Sequence, residues 1–457
     1  MLSSRLCRRL QRVVQWRSVG CVSTRRVHCS TQLRMASGKL QPAKRATGHG
    51  KNLWVEFVAL AMETKAINLG QGMPDFGPPQ HLIDALCDCS QEAKNNQYTR
   101  SQGHVRLVTA LANMYSRLMG RQLNPMTDVV VSMGAYSILS HAINAFLEEG
   151  DEIILVEPFF DCYQPMAKIA GAKTVFVPLR PQGQYAGHSK DWVLDPGELE
   201  AAFSPKTKMI IVNNPNNPLG KLFTTEELTV VAELCKRYDV ICLMDEVYEW
   251  LTYSGTKHVR MATLPGMWER TITVGSAGKT FSATGWKMGW GIGPEHLVKH
   301  MQTMHANTGY CYPTLLQEAV ARALEVETAR LGQPDCYFTQ LAVDTERKRD
   351  EIAEVLREVG LEPIIPDSGY FMMADTTPLG IKFDSGNDEP YDFQFTKWMT
   401  REKGVATIPP SAFFSPANKH LVEKFVRFCF IKDDATLQAA YAKLREWAKE
   451  LKSEKKT

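Results

Sequence analysis

The stretch that decides the fold is Arg270–Trp290, RTITVGSAGKTFSATGWKMGW. Thr271–Val274 is a run of β-branched residues and predicts a strand. It empties into a small-residue turn, Gly275–Gly278, that presents one lysine, Lys279, followed by the hydroxyls of Thr280, Ser282 and Thr284 and a second cation, Lys287. Small residues let a ligand crowd the backbone, and a lysine held where it can lose its proton is a nucleophile towards carbonyl carbon. Gly278-Lys279-Thr280 is also the last triplet of a nucleotide P-loop. That pattern needs a glycine at position 273, where Thr273 stands.

Working outward, the preceding chain alternates apolar strands and amphipathic helices. Val129–Ser132, Glu152–Val156, Lys173–Pro178, Thr207–Val212 and Val240–Met244 predict strands, the last ending on Asp245. A helix starting near Gly134 spaces Ile138, Leu139, Ala142, Ile143, Phe146 and Leu147 along one face, and Thr224 with Glu227 makes a capping box for another. Such alternation predicts an α/β fold with a mostly parallel central sheet covered on both faces. The expected organisation is a large domain over residues 81–330 and a smaller α+β domain over 331–457, joined by the N-terminal segment 35–80. The segments 180–191 and 376–389 read as surface loops.

The chain has 457 residues, 44% apolar and 23% charged, as expected of an ordinary globular protein. The formal net charge of +3 is uneven: residues 1–55 contain no Asp or Glu, and residues 1–34 carry eight arginines. Without those eight, 45 basic face 50 acidic residues. A mildly acidic body asks for no nucleic acid or anionic membrane, and no apolar run approaches the ~20 residues of a membrane span. Residues 1–34 place Leu2, Leu6, Leu10 and Val13 near one helical face among arginines, the composition of a mitochondrial transit peptide. Met35, just beyond, could start a second, cytosolic product. Eleven cysteines without a CxxC pair predict reduced thiols and no metal site.

In sheets of this kind ligands sit beyond the carboxyl ends of the strands, and four turns there are chemically loaded. Gly134-Ala135-Tyr136 opens a helix whose free N–H groups suit a phosphate. Asn213–Gly220, NNPNNPLG, is dense in amides; Asp245-Glu246-Val247-Tyr248 puts a carboxylate at a strand end with a phenol three residues on. The opening stretch adds Ser276, Lys279 and Lys287. Each has an ordinary alternative: helix packing, a turn, a cap, a solvated lysine. One ligand that needs all four is pyridoxal 5'-phosphate. Its aldehyde takes a lysine, its ring nitrogen a carboxylate, its phosphate N–H groups and cations.

The segments NPNNPLG, DEVYEW and SAGKTFSATGWKMGW resemble those of the fold-type I pyridoxal-phosphate aminotransferases. With NLGQGMPDF, NQYTR, EPFFDCY and VRFCFIK added, the chain is similar, over about residues 50–450, to the kynurenine aminotransferases, also known as cysteine-S-conjugate β-lyases. The resemblance implies that Lys279 holds the cofactor covalently and then moves a proton. Asp245 pairs with the ring nitrogen, Tyr248 and Asn217 bond the ring oxygen, and Phe160 stacks on the ring. Ala135, Tyr136, Ser276 and Lys287 bind the phosphate, joined by Tyr98 from a partner subunit. Lys287 stands where many relatives have arginine, which keeps the charge and loses the bidentate fork. For substrate, the resemblance implies that Arg427 clamps the α-carboxylate with Asn217 and the Gly72 amide. Asn213 is a further candidate, while Trp54, and Tyr310 from across a dimer interface, shape an aromatic pocket. Taken alone, Arg427 reads as a surface residue and Trp54 as core. The expected activity is transfer of an amino group from L-kynurenine or another large neutral or aromatic amino acid to a 2-oxo acid by a mitochondrial homodimer, with β-lyase side activity. A class I aminotransferase preferring glutamine or aromatic donors, and a dedicated C–S lyase, are the alternatives.

Overall fold

The computed structural model describes residues 41–50, 53–183, 187–253, 255–383 and 388–454. The arginine-rich segment 1–34 and Met35 lie outside them. In chain order the helices are α1 (Leu53–Thr64), α2 (Gln80–Gln91), α3 (Val105–Met119), α4 (Gly134–Phe146), α5 (Tyr163–Ala170), α6 (Pro196–Ala202), α7 (Thr225–Tyr238), α8 (Ala277–Thr280), α9 (Glu295–Thr308), α10 (Thr314–Ala329), α11 (Tyr337–Val359), α12 (Tyr391–Glu402) and α13 (Asp434–Glu454). The strands are β1 (Ile67–Asn68), β2 (Val129–Met133), β3 (Glu152–Glu157), β4 (Lys173–Pro181), β5 (Trp192–Leu194), β6 (Thr207–Asn213), β7 (Ile241–Asp245), β8 (Thr271–Ser276), β9 (Met288–Ile292), β10 (Glu362–Ile364), β11 (Phe371–Asp375), β12 (Val405–Ala406) and β13 (Phe425–Cys429).

Eight strands form one sheet in the order β2-β9-β8-β7-β6-β3-β4-β5. β9 runs antiparallel to both its neighbours and β5 antiparallel to β4, so the other six point one way. The sheet is therefore mostly parallel, as the alternation requires. β3 and β7 are almost wholly buried, which is why they read as unbroken apolar runs. Helices cover the sheet: Ile138, Leu139, Ala142 and Ile143 of α4 enter one core cluster, and Leu228, Val231, Ala232 and Cys235 of α7 enter another. The capping box is present, with Thr224 accepting from the Glu227 N–H and Glu227 accepting in return from Thr224.

C-terminal to this, β10, β11 and β13 form an antiparallel sheet, while β1 pairs in parallel with β12. The N-terminal segment thus joins the C-terminal strands through a non-local pairing, Ile67 with Val405 and Asn68 with Ala406. Residues 45–457 pack as one unit.

Two local expectations change. The Gly275–Gly278 turn does not form: β8 continues through Ser276, and Lys279 sits in the single helical turn α8. Part of the expected 180–191 loop is structured, because β4 runs to Pro181 and pairs with β5.

Candidate active site

Adjacent strand ends bring the loaded turns together. Asn213 closes β6 and pairs in register with Asp245 at the end of β7; Asp245 in turn pairs with Val274, two residues before Ser276. Beyond these ends lies a cavity of about 290 Å³. It collects Trp54, Gly72, Ala135, Tyr136, Phe160, Asn213, Asn217, Asp245, Tyr248, Ser276, Lys279, Lys287 and Arg427 from positions up to 373 residues apart. Only Tyr98 and Tyr310 among the expected residues lie elsewhere. They are 83% and 57% exposed and meet edge to face, ring centroids 5.5 Å apart.

Lys279 Nζ donates to Tyr370 Oη at 2.5 Å and to the Gly72 carbonyl at 3.2 Å. The side chain keeps some exposure through the cavity, yet burial pushes the amine down to about 8, against the opposing pull of Cys429 and Asp245. Asp245 is buried and accepts from the Tyr163 hydroxyl at 2.6 Å. Burial lifts its carboxyl to about 6, opposed by the hydrogen bonds from Tyr163 and the Val247 N–H and by the charge of Lys279. Tyr248 lies edge-on to Tyr370 at 5.0 Å, and burial raises its phenol well above the usual range.

Arg427 has no exposed surface, so the surface reading of this residue fails. Its Nη1 donates to Asn217 Oδ1 at 3.0 Å and its Nη2 to the Gly70 carbonyl at 2.7 Å, while Nε has no hydrogen-bond partner. Phe371, Phe413 and Trp54 surround the guanidinium, with ring centroids 4.1, 5.0 and 5.5 Å from Cζ. Burial lowers its pKa to about 10. Trp54 is half-buried and its indole N–H donates to Asp161 at 2.8 Å.

The loop Gly70–Met73 joins these groups. The Gly70 carbonyl faces Arg427, Gly72 faces Lys279, and Gln71 and Met73 accept from Lys432 Nζ at 3.4 and 2.8 Å. A Cβ at Gly72 would fall 2.4 Å from the Phe371 ring, so only glycine lets the loop approach β11.

At the other end of the cavity, Ala135 and Tyr136 occupy the first turn of α4, where N–H groups have no intrahelical acceptor. Ser276 occupies the N-cap position of α8 with no capping bond from its side chain, and exposed Lys287 holds a left-handed backbone, φ 54°. A Cβ at Gly289 would come 2.2 Å from the Ala135 nitrogen, so β9 abuts this helix start because position 289 has no side chain. Backbone donors, a hydroxyl, a cation, a buried carboxylate and a lysine of lowered basicity around one cavity fit pyridoxal phosphate.

Asn213 lines the cavity but its amide is committed to protein: Nδ2 donates to the Asp245 carbonyl at 2.9 Å and Oδ1 accepts the Asn217 N–H at 2.7 Å. It positions its neighbours. Sequence reasoning missed Asp161, Tyr163, Tyr370 and Phe371. The first two lie inside the already singled-out segment EPFFDCY; Tyr370 and Phe371 carried no signal, because their role depends on β11 reaching Gly72. Among the described residues there is no metal-ligand cluster, every cysteine is free, and no helix is long and apolar enough to cross a membrane.

The family model for class I and II aminotransferases matches residues 64–444. Human kynurenine–oxoglutarate transaminase 3 is 51% identical over 422 residues, covering 92% of this chain and 93% of that protein. Human kynurenine–oxoglutarate transaminase 1 is 48% identical, covering 90% and 99%. Among solved structures, Bna3p of Saccharomyces cerevisiae superposes with a TM-score of 0.84 at 31% identity, covering 90% and 100%. N-succinyldiaminopimelate aminotransferase of Mycobacterium tuberculosis gives 0.81 at 34%, covering 89% and 100%. The chain belongs to the class I and II aminotransferases, and its cofactor is pyridoxal 5'-phosphate.

Proposed function

We propose that this aminotransferase moves the amino group of L-kynurenine and of other large neutral or aromatic amino acids to a 2-oxo acid, the kynurenine-derived product cyclising to kynurenic acid. Arg427 carries this reading. It is a fully buried cation with no carboxylate in contact among the described residues, only the nearby charge of Asp161, and an idle Nε set among aromatic walls. An unpaired buried charge is costly, and a substrate α-carboxylate would complete it through the bidentate fork. Trp54, Phe160, Tyr248 and Phe371 suit a large flat side chain. The names of the two human relatives support kynurenine as donor.

Bound pyridoxal phosphate supplies an aldehyde carbon for amine exchange and a ring that draws electrons from Cα. Lys279 provides a nucleophilic amine and then, once released, takes the Cα proton of the donor. Asp245 would keep a proton on the ring nitrogen, and Tyr248 and Asn217 would donate to the ring oxygen. Phe160 would pack on the ring, and Ala135, Tyr136, Ser276 and Lys287 would hold the phosphate. With cysteine S-conjugates, loss of the same proton would let the Cβ–S bond break and the thiol leave, and the enamine left behind would take up water to give pyruvate and ammonia. Tyr98 and Tyr310 are proposed to complete the site of a second copy in a homodimer, which their exposure supports. The arginine-rich segment 1–34 is proposed to direct the chain to mitochondria, with a cytosolic form starting at Met35. Staining of cells expressing the chain without residues 1–34 is then cytosolic; a mitochondrial signal refutes the address.

A panel of amino donors against one fixed oxo acid tests the chemistry. Kynurenine and aromatic donors are expected to lead, while turnover confined to glutamine, or pyruvate and thiol without any keto-acid exchange, selects one of the alternatives. Lys279→Ala is expected to lose both the cofactor absorbance and turnover.

A further inference from the structure

We infer that Tyr370 is a positioning residue for the reacting amine: its hydroxyl and the Gly72 carbonyl together hold Lys279 Nζ whenever that amine is not bonded to cofactor. The inference rests on the reading above that Lys279 carries the exchange. In that exchange the donor nitrogen takes over the bond to the cofactor carbon and Nζ leaves carrying two N–H bonds. For part of each turnover, a flexible four-carbon side chain must therefore be kept aimed.

The structure supplies the means. Nζ lies 2.5 Å from Tyr370 Oη and 3.2 Å from the Gly72 carbonyl, and Oη donates to the same carbonyl at 2.9 Å. The three polar atoms close a triangle. A neutral amine that directs its two N–H bonds at these oxygens turns its lone pair away from both. Lys279 and Gly72 line the cavity, whereas Tyr370 stands behind them with 1% of its surface exposed. Holding both N–H bonds in this way fixes the direction of the lone pair.

Three contacts keep the holder itself still. The Tyr370 carbonyl accepts from the Phe430 N–H at 3.1 Å, its ring meets Tyr248 edge-on at 5.0 Å, and the same ring lies against that of Phe371, centroids 4.7 Å apart.

Tyr370→Phe removes the hydroxyl and keeps the ring. Tyr253→Phe is the matched control: Tyr253 is buried in the same region and its hydroxyl donates to the Gly369 carbonyl, without touching Lys279. In the holoenzyme, Tyr370→Phe is expected to lower kcat about 10- to 100-fold with KM for the donor nearly unchanged, while Tyr253→Phe keeps wild-type kcat. A second readout does not use turnover. In the full chain freed of cofactor, pH-dependent labelling of Lys279 with acetic anhydride should show a midpoint near 8. Tyr370→Phe should move that midpoint down, because the protonated amine loses an acceptor, and Tyr253→Phe should leave it in place. Wild-type kcat and midpoint in Tyr370→Phe overturn the inference, as do equal losses in both variants. Turnover surviving in Lys279→Ala would instead overturn the role of the lysine itself.

Discussion

At the scale of single residues, this site works by taking charged groups out of water and withholding part of their usual compensation. Lys279 and Arg427 both lose basicity through burial, and Asp245 loses acidity for the same reason. The consequences differ. For Lys279 the neutral, reactive amine becomes the major form as pH rises through about 8. The rate at which the cofactor-free chain recaptures pyridoxal phosphate is therefore expected to climb between roughly pH 7 and 9, and stopped-flow absorbance would read it. The same shift bears on stability. The unfolded lysine holds its proton to about 10.4, so between about 8 and that value unfolding takes up protons and the lysine's contribution to stability rises with pH. For Arg427 the geometry matters more than the charge. Arg427→Lys keeps a cation but loses the fork, and kcat/KM for every amino acid is expected to fall roughly 10- to 100-fold, the equivalent of ~1.5–3 kcal/mol of charged hydrogen bonding.

At the scale of elements, the cavity depends on backbone approaching backbone. β9 runs against its neighbours and brings position 289 onto the first turn of α4, and the Gly70–Met73 loop lays its carbonyls against three cations. A Cβ at Gly289 would strike the Ala135 nitrogen, and one at Gly72 the Phe371 ring. Gly289→Ala forces the Ala135 nitrogen away from a new methyl group placed at 2.2 Å. The expected cost is ~1–3 kcal/mol of overpacking. Because the displaced helix start would carry the phosphate donors, the cofactor should also bind more weakly. Fluorescence titration with pyridoxal phosphate, beside thermal unfolding, separates the two effects.

At the scale of the whole molecule, the cavity gathers its residues from the N-terminal segment, the eight-stranded sheet and the C-terminal strands. The parallel pairing of β1 with β12 carries the Gly70–Met73 loop to the carboxyl end of the interior strand β8, where Lys279 stands. Tyr98 and Tyr310 remain outside this assembly, large aromatic rings facing solvent. If they serve a second copy, Tyr98→Ala together with Tyr310→Ala should weaken dimerisation and cofactor affinity in parallel, as sedimentation and absorbance titration would record. A dimer that persists with unchanged cofactor binding removes both tyrosines from the site.

The sequence by itself determined the alternation of strands and helices, the mostly parallel sheet, and the loaded strand ends whose Asp245, Tyr248, Asn217, Ser276 and Lys279 line one cavity. Apolar periodicity and strand-end chemistry are local, so both could be read along the chain. It did not show that the glycine-rich stretch before Lys279 is strand and a helical turn, because tertiary pairing with β9 outweighs the preference of small residues for turns. Nor did Arg427 or Tyr370 carry a local mark. A strand arginine is ordinarily solvated, and a tyrosine before a strand is ordinarily packing. Only when β13, β11 and the Gly70–Met73 loop converge does one become a buried, partly unpaired guanidinium and the other the hydroxyl beside Lys279. Such roles come from desolvation and from hydrogen bonds spanning up to 357 residues, and both exist only in the folded chain.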